Sequence, residues 1–150
     1  MKYKAIIEIP KGSDRRIHMK YDRSGFQDFG HIKEQIPVNN GVMPVAYGYL
    51  ENTENKKEKD NIDVIVFSNK NFATGDKVEV IPFGLIKRSD EDHKVIACDD
   101  TLSFDDWSQV PIEDGGLILD YFGFKSPIES VEDKKIAEEY INKFLDLRFL

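Results

Sequence analysis

Six short strand-like runs, separated by turn residues, constrain the fold of this chain more than any other feature of its sequence. The turns between them are rich in Gly, Pro, Asn and Asp, as is usual between β-strands. We therefore predict a strand at each run. The runs are Tyr3–Ile9, Arg15–Tyr21, Ala46–Leu50, Ile62–Phe67, Lys77–Arg88 and Lys94–Ala97.

The sequence changes in character after residue 100, where helices are expected. A short helix is predicted near Gly115–Tyr121, and a longer one over Ser130–Leu147 with Ser130 as its N-cap. Strands first and helices last indicate an α+β fold whose sheet curls into a small barrel. The length fits a single domain spanning residues 1–150.

Charge and cysteine content exclude several classes of protein. A net charge of −7 argues against broad nucleic-acid binding, which needs a basic surface. The single cysteine, Cys98, excludes an intrachain disulfide and a thiolate zinc site, and it suits a reducing compartment. We see no apolar run long enough for a membrane span and no signal peptide, so we expect a cytoplasmic protein without membrane partners.

Polar residues on the first two predicted strands are candidates for a binding site. Glu8 interrupts an apolar run, and it is either exposed on an edge strand or buried and paired. Arg16, His18 and Lys20 alternate with apolar residues, and this period of two places them on one face of a strand. That face is either simply solvated or directed at an anion.

Acidic residues stand at the ends of two later strands. Asp60 and Asp63 would point to opposite faces of a regular strand, so they converge only if the chain bends near Asn61. Glu58 precedes them, and Asp90 and Asp92 follow the strand ending at Arg88. Each cluster alone fits a charged hairpin as well as a metal site. Together with a basic strand face, they match a site in which carboxylates hold hard cations and Lys or Arg holds a phosphate.

Several segments resemble the soluble (family I) inorganic pyrophosphatases. Ile7–Ser13 is similar to the family's opening IEIPKGS, and Met43–Tyr49 to its YPxNYGF segment. Glu58–Val64 resembles the signature DxDPLDV, and Val80–Lys94 resembles the stretch from RPVGVLKMxDE to DxK. Phe124-Lys125 falls where the family has Tyr-Lys, so the resemblance spans roughly residues 5–126 in the right order.

The resemblance implies a five-stranded OB-like β-barrel flanked by helices, usually in a homo-oligomer. It implies hydrolysis of pyrophosphate to two phosphates, dependent on Mg²⁺, with Mn²⁺ as a possible substitute. The residues it implies fall into three groups: Asp60 and Asp63 as catalytic residues, with Asp60 as general base; Glu8, Glu58, Asp63, Asp90 and Asp92 as metal ligands; and Arg16, Tyr47, Lys94 and Lys125 as phosphate ligands.

The chain departs from the family pattern mostly around the phosphate. Asn61 replaces a proline, which we expect to loosen the bend between Asp60 and Asp63. His18 replaces a glutamate, and Glu58 replaces an aspartate. Met43 and Phe124 replace tyrosines that would donate hydrogen bonds to phosphate. The family's phosphate-binding arginine has no clear equivalent, and Lys33 is the nearest candidate.

Two other functions stay open beside pyrophosphate hydrolysis. A thinned phosphate shell also suits a phosphohydrolase that acts on another diphosphate compound. The chain could instead be a non-catalytic descendant that binds phosphate or a protein. Crowded, mutually repelling acids favour an enzyme over a scaffold, and a nucleic-acid-binding barrel is disfavoured because a basic stripe with exposed aromatic residues is missing.

Overall fold

The computed structural model describes residues 1–54 and 60–145. Within them the chain forms eight β-strands and two α-helices. None of the helices in these two ranges is long and apolar enough to cross a membrane. In chain order the elements are β1 (Tyr3–Ile9), β2 (Arg15–Met19), β3 (Phe26–His31), β4 (Ala46–Leu50), β5 (Asp63–Phe67), β6 (Lys77–Arg88), β7 (Lys94–Cys98), α1 (Ile112–Gly123), β8 (Ile128–Asp133) and α2 (Lys134–Lys143).

Five of the strands pair in a ring. The order is β1-β4-β5-β7-β6, and β6 pairs again with β1. The long strand β6 closes the ring because its first residues pair with β1 while later residues pair with β7 and β8. Pro82 lies where the β6–β7 register shifts, at a bulge that tolerates its missing N–H. The predicted α+β fold with a five-stranded OB-like barrel is confirmed.

Two strands, β3 and β8, were not predicted from the sequence. β2 pairs with β3 in a separate antiparallel hairpin, and β3 is mostly polar and exposed, so it lacks the apolar run that marks a strand. β8 adds to the barrel along β6. Its pairing partners come from far away in the sequence, and a local pattern does not reveal them.

The predicted helix over Ser130–Leu147 is wrong at its start. Ser130 lies in β8, and α2 begins only at Lys134, with Asp133 as N-cap accepting a hydrogen bond from the Ile136 N–H at 3.1 Å. The apolar spacing combined two elements that pack on different cores, since Val131 faces one and Ile136 the other. The helix also ends earlier than predicted, at Lys143 with Phe144 as C-cap, and Leu145 forms a β-bridge with Thr53. Leu147 itself lies outside the described residues.

Alternation along the strands separates the apolar residues into two cores. The aromatic core packs against α1 and includes Phe67, Phe83 and Phe122. The aliphatic core packs against α2 and consists mainly of Val, Ile, Leu and Ala. Tyr47 belongs to the aromatic core, and Ile65 opposite it on β5 does too. Since Asp63 is two residues before Ile65, its side chain lies on this same face.

Gly48 brings β1 and β4 unusually close beside Tyr47. A Cβ at Gly48 would stand 1.8 Å from the Ile6 carbonyl oxygen, which is a backbone atom that cannot easily move. Only glycine fits there without separating the two strands. The close approach therefore fixes the position of the neighbouring Tyr47.

Candidate active site

Lys94 is the centre of the polar site. Its side chain is buried, and its Nζ donates to Asp63 Oδ2 at 2.6 Å, to Tyr47 Oη at 3.0 Å and to Asp92 Oδ2 at 3.1 Å. An ammonium has three protons to donate, so these contacts use its full capacity. Two predicted metal ligands and two predicted phosphate ligands thus meet at one point.

Strand register explains why Asp63 and Lys94 meet. They are the first residues of β5 and β7, and their Cα atoms are direct partners in this parallel pair. Neighbouring residues in such a pair point to the same face of the sheet. Tyr47 comes from β4 on the other side of β5 and lies on that face as well. The strands therefore set this part of the site.

The loop between β6 and β7 contributes the next two carboxylates. Asp92 N–H donates to Asp90 Oδ1 at 3.0 Å, and Asp90 N–H donates to Ser126 Oγ at 3.2 Å. Arg88 approaches both acids, with 3.4 Å from Nη2 to Asp90 Oδ2 and 3.9 Å from Nη1 to Asp92 Oδ2. The short loop thus places Asp92 directly against Lys94, and Asp90 at the outer edge.

Asp60 lies apart from this group. It accepts from the Asn61 N–H at 2.8 Å and pairs with Arg23 Nη2 at 3.4 Å. Asn61 has hydrogen bonds of its own at this bend, since its Nδ2 donates to the Thr53 carbonyl at 2.6 Å and Arg23 donates to its Oδ1.

Glu8 is buried and paired. Its Oε2 accepts from the Met19 N–H at 2.7 Å and lies 3.6 Å from His18 Nδ1. It therefore connects β1 with β2, and the β2–β3 hairpin presents Arg16 and His18 to the site. Of the two alternatives for Glu8, exposed or buried with partners, the second is confirmed.

A cavity of about 160 Å³ opens beside Lys94. Four cationic side chains line it, drawn from four separate parts of the fold. Sequence reasoning missed one of them, Arg88, and it also missed the neighbouring Tyr121 of α1. Neither carried a signal, since Arg88 reads as the end of a strand and Tyr121 as part of an apolar helix face. The cations are Arg16, Arg88, Lys94 and Lys125.

Burial and charge together shift the titration of this site. Burial raises the pKa of Tyr47 well above its usual value, and Asp63 adds to the shift. Burial alone would lower the pKa of Lys94, but Asp63 and Asp92 outweigh it and the pKa is raised. Burial raises the pKa of Asp92, which Lys94 partly opposes. Lys94 accordingly stays charged, while Asp92 is harder to ionise than an ordinary aspartate.

Lys125 and Tyr121 are the parts of the cavity carried by α1 and the loop after it. Lys125 donates from Nζ to Gln35 Oε1. Burial and then the charges of Arg16 and Arg88 lower the pKa of Lys125. Burial raises the pKa of Tyr121 to about 12. The cavity thus gathers positive charge and a neutral hydroxyl, a combination that suits an anion.

The carboxylate oxygens at this site are of the type that binds a hard divalent cation. Asp63 and Asp92 offer carboxylate oxygens that converge on one point, and oxygen ligands suit Mg²⁺. In residues 1–54 and 60–145, however, no three His, Cys, Asp or Glu side chains are close enough to hold an ion together. The fifth predicted metal ligand, Glu58, lies outside the described residues. The full predicted ligand set is therefore not brought together.

The residues that differ from the family pattern do not all lie at the cavity beside Lys94. Met43 does line the cavity, while Phe124 is largely exposed at the end of α1. Lys33 lines another cavity beside Asp14 and His31. Lys33 is thus not the substitute for the missing arginine in this arrangement.

Comparison with known proteins connects this site to a family. The family model described as inorganic pyrophosphatase matches residues 5–146. An inorganic pyrophosphatase of Leifsonia xyli is 32% identical over 99 residues, covering 63% of this chain and 56% of the relative. One from Sulfolobus acidocaldarius is 31% identical over 96 residues, covering 61% and 51%. The matches span about half the length of these two relatives.

The fold agrees with solved structures over nearly the whole chain. The crystal structure of an inorganic pyrophosphatase from Ehrlichia chaffeensis superposes with a TM-score of 0.85 at 24% identity, covering 96% of this chain and 93% of that one. One from Coxiella burnetii gives 0.82 at 19% identity, covering 99% and 95%. Identity at this level shows a shared fold. With a family model that matches nearly every residue, we conclude that the chain belongs to the inorganic pyrophosphatase family.

Proposed function

We propose that this chain hydrolyses inorganic pyrophosphate to two phosphates with the help of divalent cations, Mg²⁺ above all. One observation carries the proposal: Asp63 and Asp92 converge on the buried Lys94 next to a cavity lined with positive charge. Carboxylates suit the cations, and Lys and Arg suit the phosphate oxygens. The family membership of the chain and the names of its relatives support the same activity.

Each residue has a role that follows from its chemistry. Asp63, Asp90 and Asp92, together with Glu58 and the more distant Glu8, are the proposed metal ligands. Divalent cations held by these residues would lower the pKa of bound water towards neutrality and would offset phosphate charge. Asp60 is the proposed general base because of its position in the family signature; its carboxylate is 43% exposed and would have to exchange its contact with Arg23 for a water molecule.

The cationic side chains are proposed to bind the phosphate groups of the substrate. Arg16 and Lys125 are proposed to hold phosphate oxygens and to offset the charge that develops on the leaving phosphate. Lys94 would join them by releasing Asp63 or Asp92 once cations neutralise those carboxylates. Tyr47 fixes Lys94 through its hydroxyl, so that the ammonium keeps its direction when substrate binds. No covalent intermediate with the protein is required, because positioning and charge supply the catalysis.

The decisive experiment is phosphate release from pyrophosphate with Mg²⁺ and, separately, with Mn²⁺. We expect robust turnover by the wild type and a loss of about 1,000-fold or more in Asp63→Asn, since the substitution removes a central charge from the site. Asp100→Asn is the matched control, because Asp100 is exposed and pairs only loosely with Lys70 at 3.5 Å. A wild type inactive with both ions would refute the proposal.

The same assay separates the competing functions. Release of phosphate from an organic diphosphate, but not from pyrophosphate, would indicate a related phosphohydrolase. Failure on every phosphoanhydride would indicate a binding protein. A homo-oligomeric state, the choice of Mg²⁺ and a cytoplasmic location stay predictions, and the first two can be measured by light scattering and by metal titration of the same preparation.

A further inference from the structure

Arg88, at the end of β6, is held at the site by burial, by a backbone hydrogen bond and by strand pairing. Its side chain is buried, and its backbone N–H donates to His93 Nδ1 at 3.0 Å. The residue ends β6 opposite Ile128 of β8, so the barrel itself fixes its Cα. The side chain then reaches the cavity that Arg16, Lys94 and Lys125 also line.

The guanidinium of Arg88 keeps unused hydrogen-bonding capacity. Its closest polar contacts are 3.4 Å from Nη2 to Asp90 Oδ2 and 3.4 Å from Nη1 to the Asp92 carbonyl oxygen. Strong charged hydrogen bonds are much shorter, about 2.7 to 2.9 Å. Among the described side chains, Arg88 Nε is the one buried nitrogen or oxygen without a hydrogen-bond partner. A buried donor without a partner is unfavourable unless a ligand supplies the acceptor.

We propose that Arg88 is a substrate-binding residue that donates its guanidinium N–H groups to a phosphate in this cavity. The inference rests on the proposed function, because it takes the cavity as the phosphate site. An arginine fork matches phosphate oxygens in pairs, which a lysine cannot do.

The neighbouring charges support this assignment over a purely structural ion pair. Arg16 and Arg88 both lower the pKa of Lys125, after burial, so their positive charges act on the same region. A structural pair would bring Arg88 closer to Asp90 or Asp92, as Lys94 is to Asp63 at 2.6 Å. The arrangement instead leaves several cations around an open volume, and an anion would relieve their repulsion.

The test is direct binding of imidodiphosphate, a non-hydrolysable analogue of pyrophosphate, by calorimetry in the presence of Mn²⁺. We expect Arg88→Met to weaken this binding about tenfold or more and Arg88→Lys to weaken it several-fold. Lys87→Met is the matched control, since it removes a charge from the adjacent position of β6, and Lys87 is not among the residues that line the cavity. Its binding should equal that of the wild type.

Titration with Mn²⁺ alone separates substrate binding from support of the carboxylates. Arg88 stands near Asp90 and Asp92, so its removal should leave Mn²⁺ affinity unchanged or increase it. Unchanged imidodiphosphate binding in Arg88→Met overturns the inference. A parallel loss of Mn²⁺ affinity does so too, because Arg88 would then act through the acids. If Arg88→Met does not fold, the same two readouts on Arg88→Lys decide.

Turnover distinguishes the failure of this inference from the failure of the proposed function. A wild type that hydrolyses pyrophosphate, with variants that bind imidodiphosphate equally well, refutes only the role of Arg88. A wild type that binds imidodiphosphate through Arg88 but hydrolyses nothing refutes only the catalytic proposal.

Discussion

Asp63 and Asp90 are acids of the same proposed centre, yet the chain holds them in different ways. Asp63 begins a strand, is mostly buried and accepts a 2.6 Å hydrogen bond from Lys94. Asp90 lies on a loop, is 43% exposed and lies 3.4 Å from its cationic neighbour Arg88. The site thus has a strand-held centre, represented by Asp63 and set by register, and a loop-held edge, represented by Asp90, which we expect to adjust if ions and substrate bind.

The largest expected effect tests the strand-held centre. Lys94→Met leaves Asp63 and Asp92 without their shared partner, and breaking such a pair costs roughly 2–3 kcal/mol after allowing for the exposure of Asp92. Urea denaturation of the metal-free protein measures this loss. Added Mn²⁺ should recover part of it, since the cation can replace the ammonium. A loss below about 0.5 kcal/mol would mean that the centre is not preset.

An intermediate effect tests the loop-held edge. Asp90→Asn should weaken Mg²⁺ binding by about tenfold, because a proposed ligand loses its charge. Its free energy of unfolding should change by only about 0.5 kcal/mol, as is usual for exposed positions. Metal titration and denaturation of the same samples measure both. A large loss of stability with unchanged metal affinity would reverse the contrast between edge and centre.

The smallest effect concerns Arg23, which pairs with Asp60 and also stacks 5.3 Å from the centre of the Tyr49 ring. Arg23→Gln should cost about 0.5 kcal/mol in stability, since exposed ion pairs contribute little. Asp60 would lose a competing cation, so Mg²⁺ affinity should rise slightly. Titration calorimetry against the wild type measures the change. A fall in Mg²⁺ affinity would show that Arg23 positions Asp60 for the ion.

The same contrast explains how much the sequence revealed. The strands that carry Tyr47, Asp63 and Lys94 can be recognised from their apolar composition, and the family motifs cover all three residues. Alternation alone predicted Arg16, His18 and Lys20 on one face. The first two line the cavity, whereas Lys20 lies just beyond the end of β2 and is exposed. Local patterns therefore located most of the strand-held centre.

The features that the sequence did not predict depend on contacts between segments that are far apart in the chain. β8 forms only because β6 supplies its partners, and that pairing converted the start of the expected helix into a strand. Arg88 belongs to the site because the end of β6 meets both β8 and the Asp90 loop. Neither its neighbours in sequence nor its spacing indicates a cavity. Lys33, by contrast, is the nearest candidate in the sequence for the family's phosphate-binding arginine, but it lines another cavity.

The contacts of Lys94 with Asp63 and Asp92 bear on whether the protein folds before or after it binds metal ions. Some metal proteins reach their fold only when the ion binds, because the charges of its ligands repel one another until then. Here a lysine of the chain already neutralises that repulsion at the centre. The polypeptide should consequently assemble without any ion, and cation supply should then govern how active each molecule is rather than how many molecules fold.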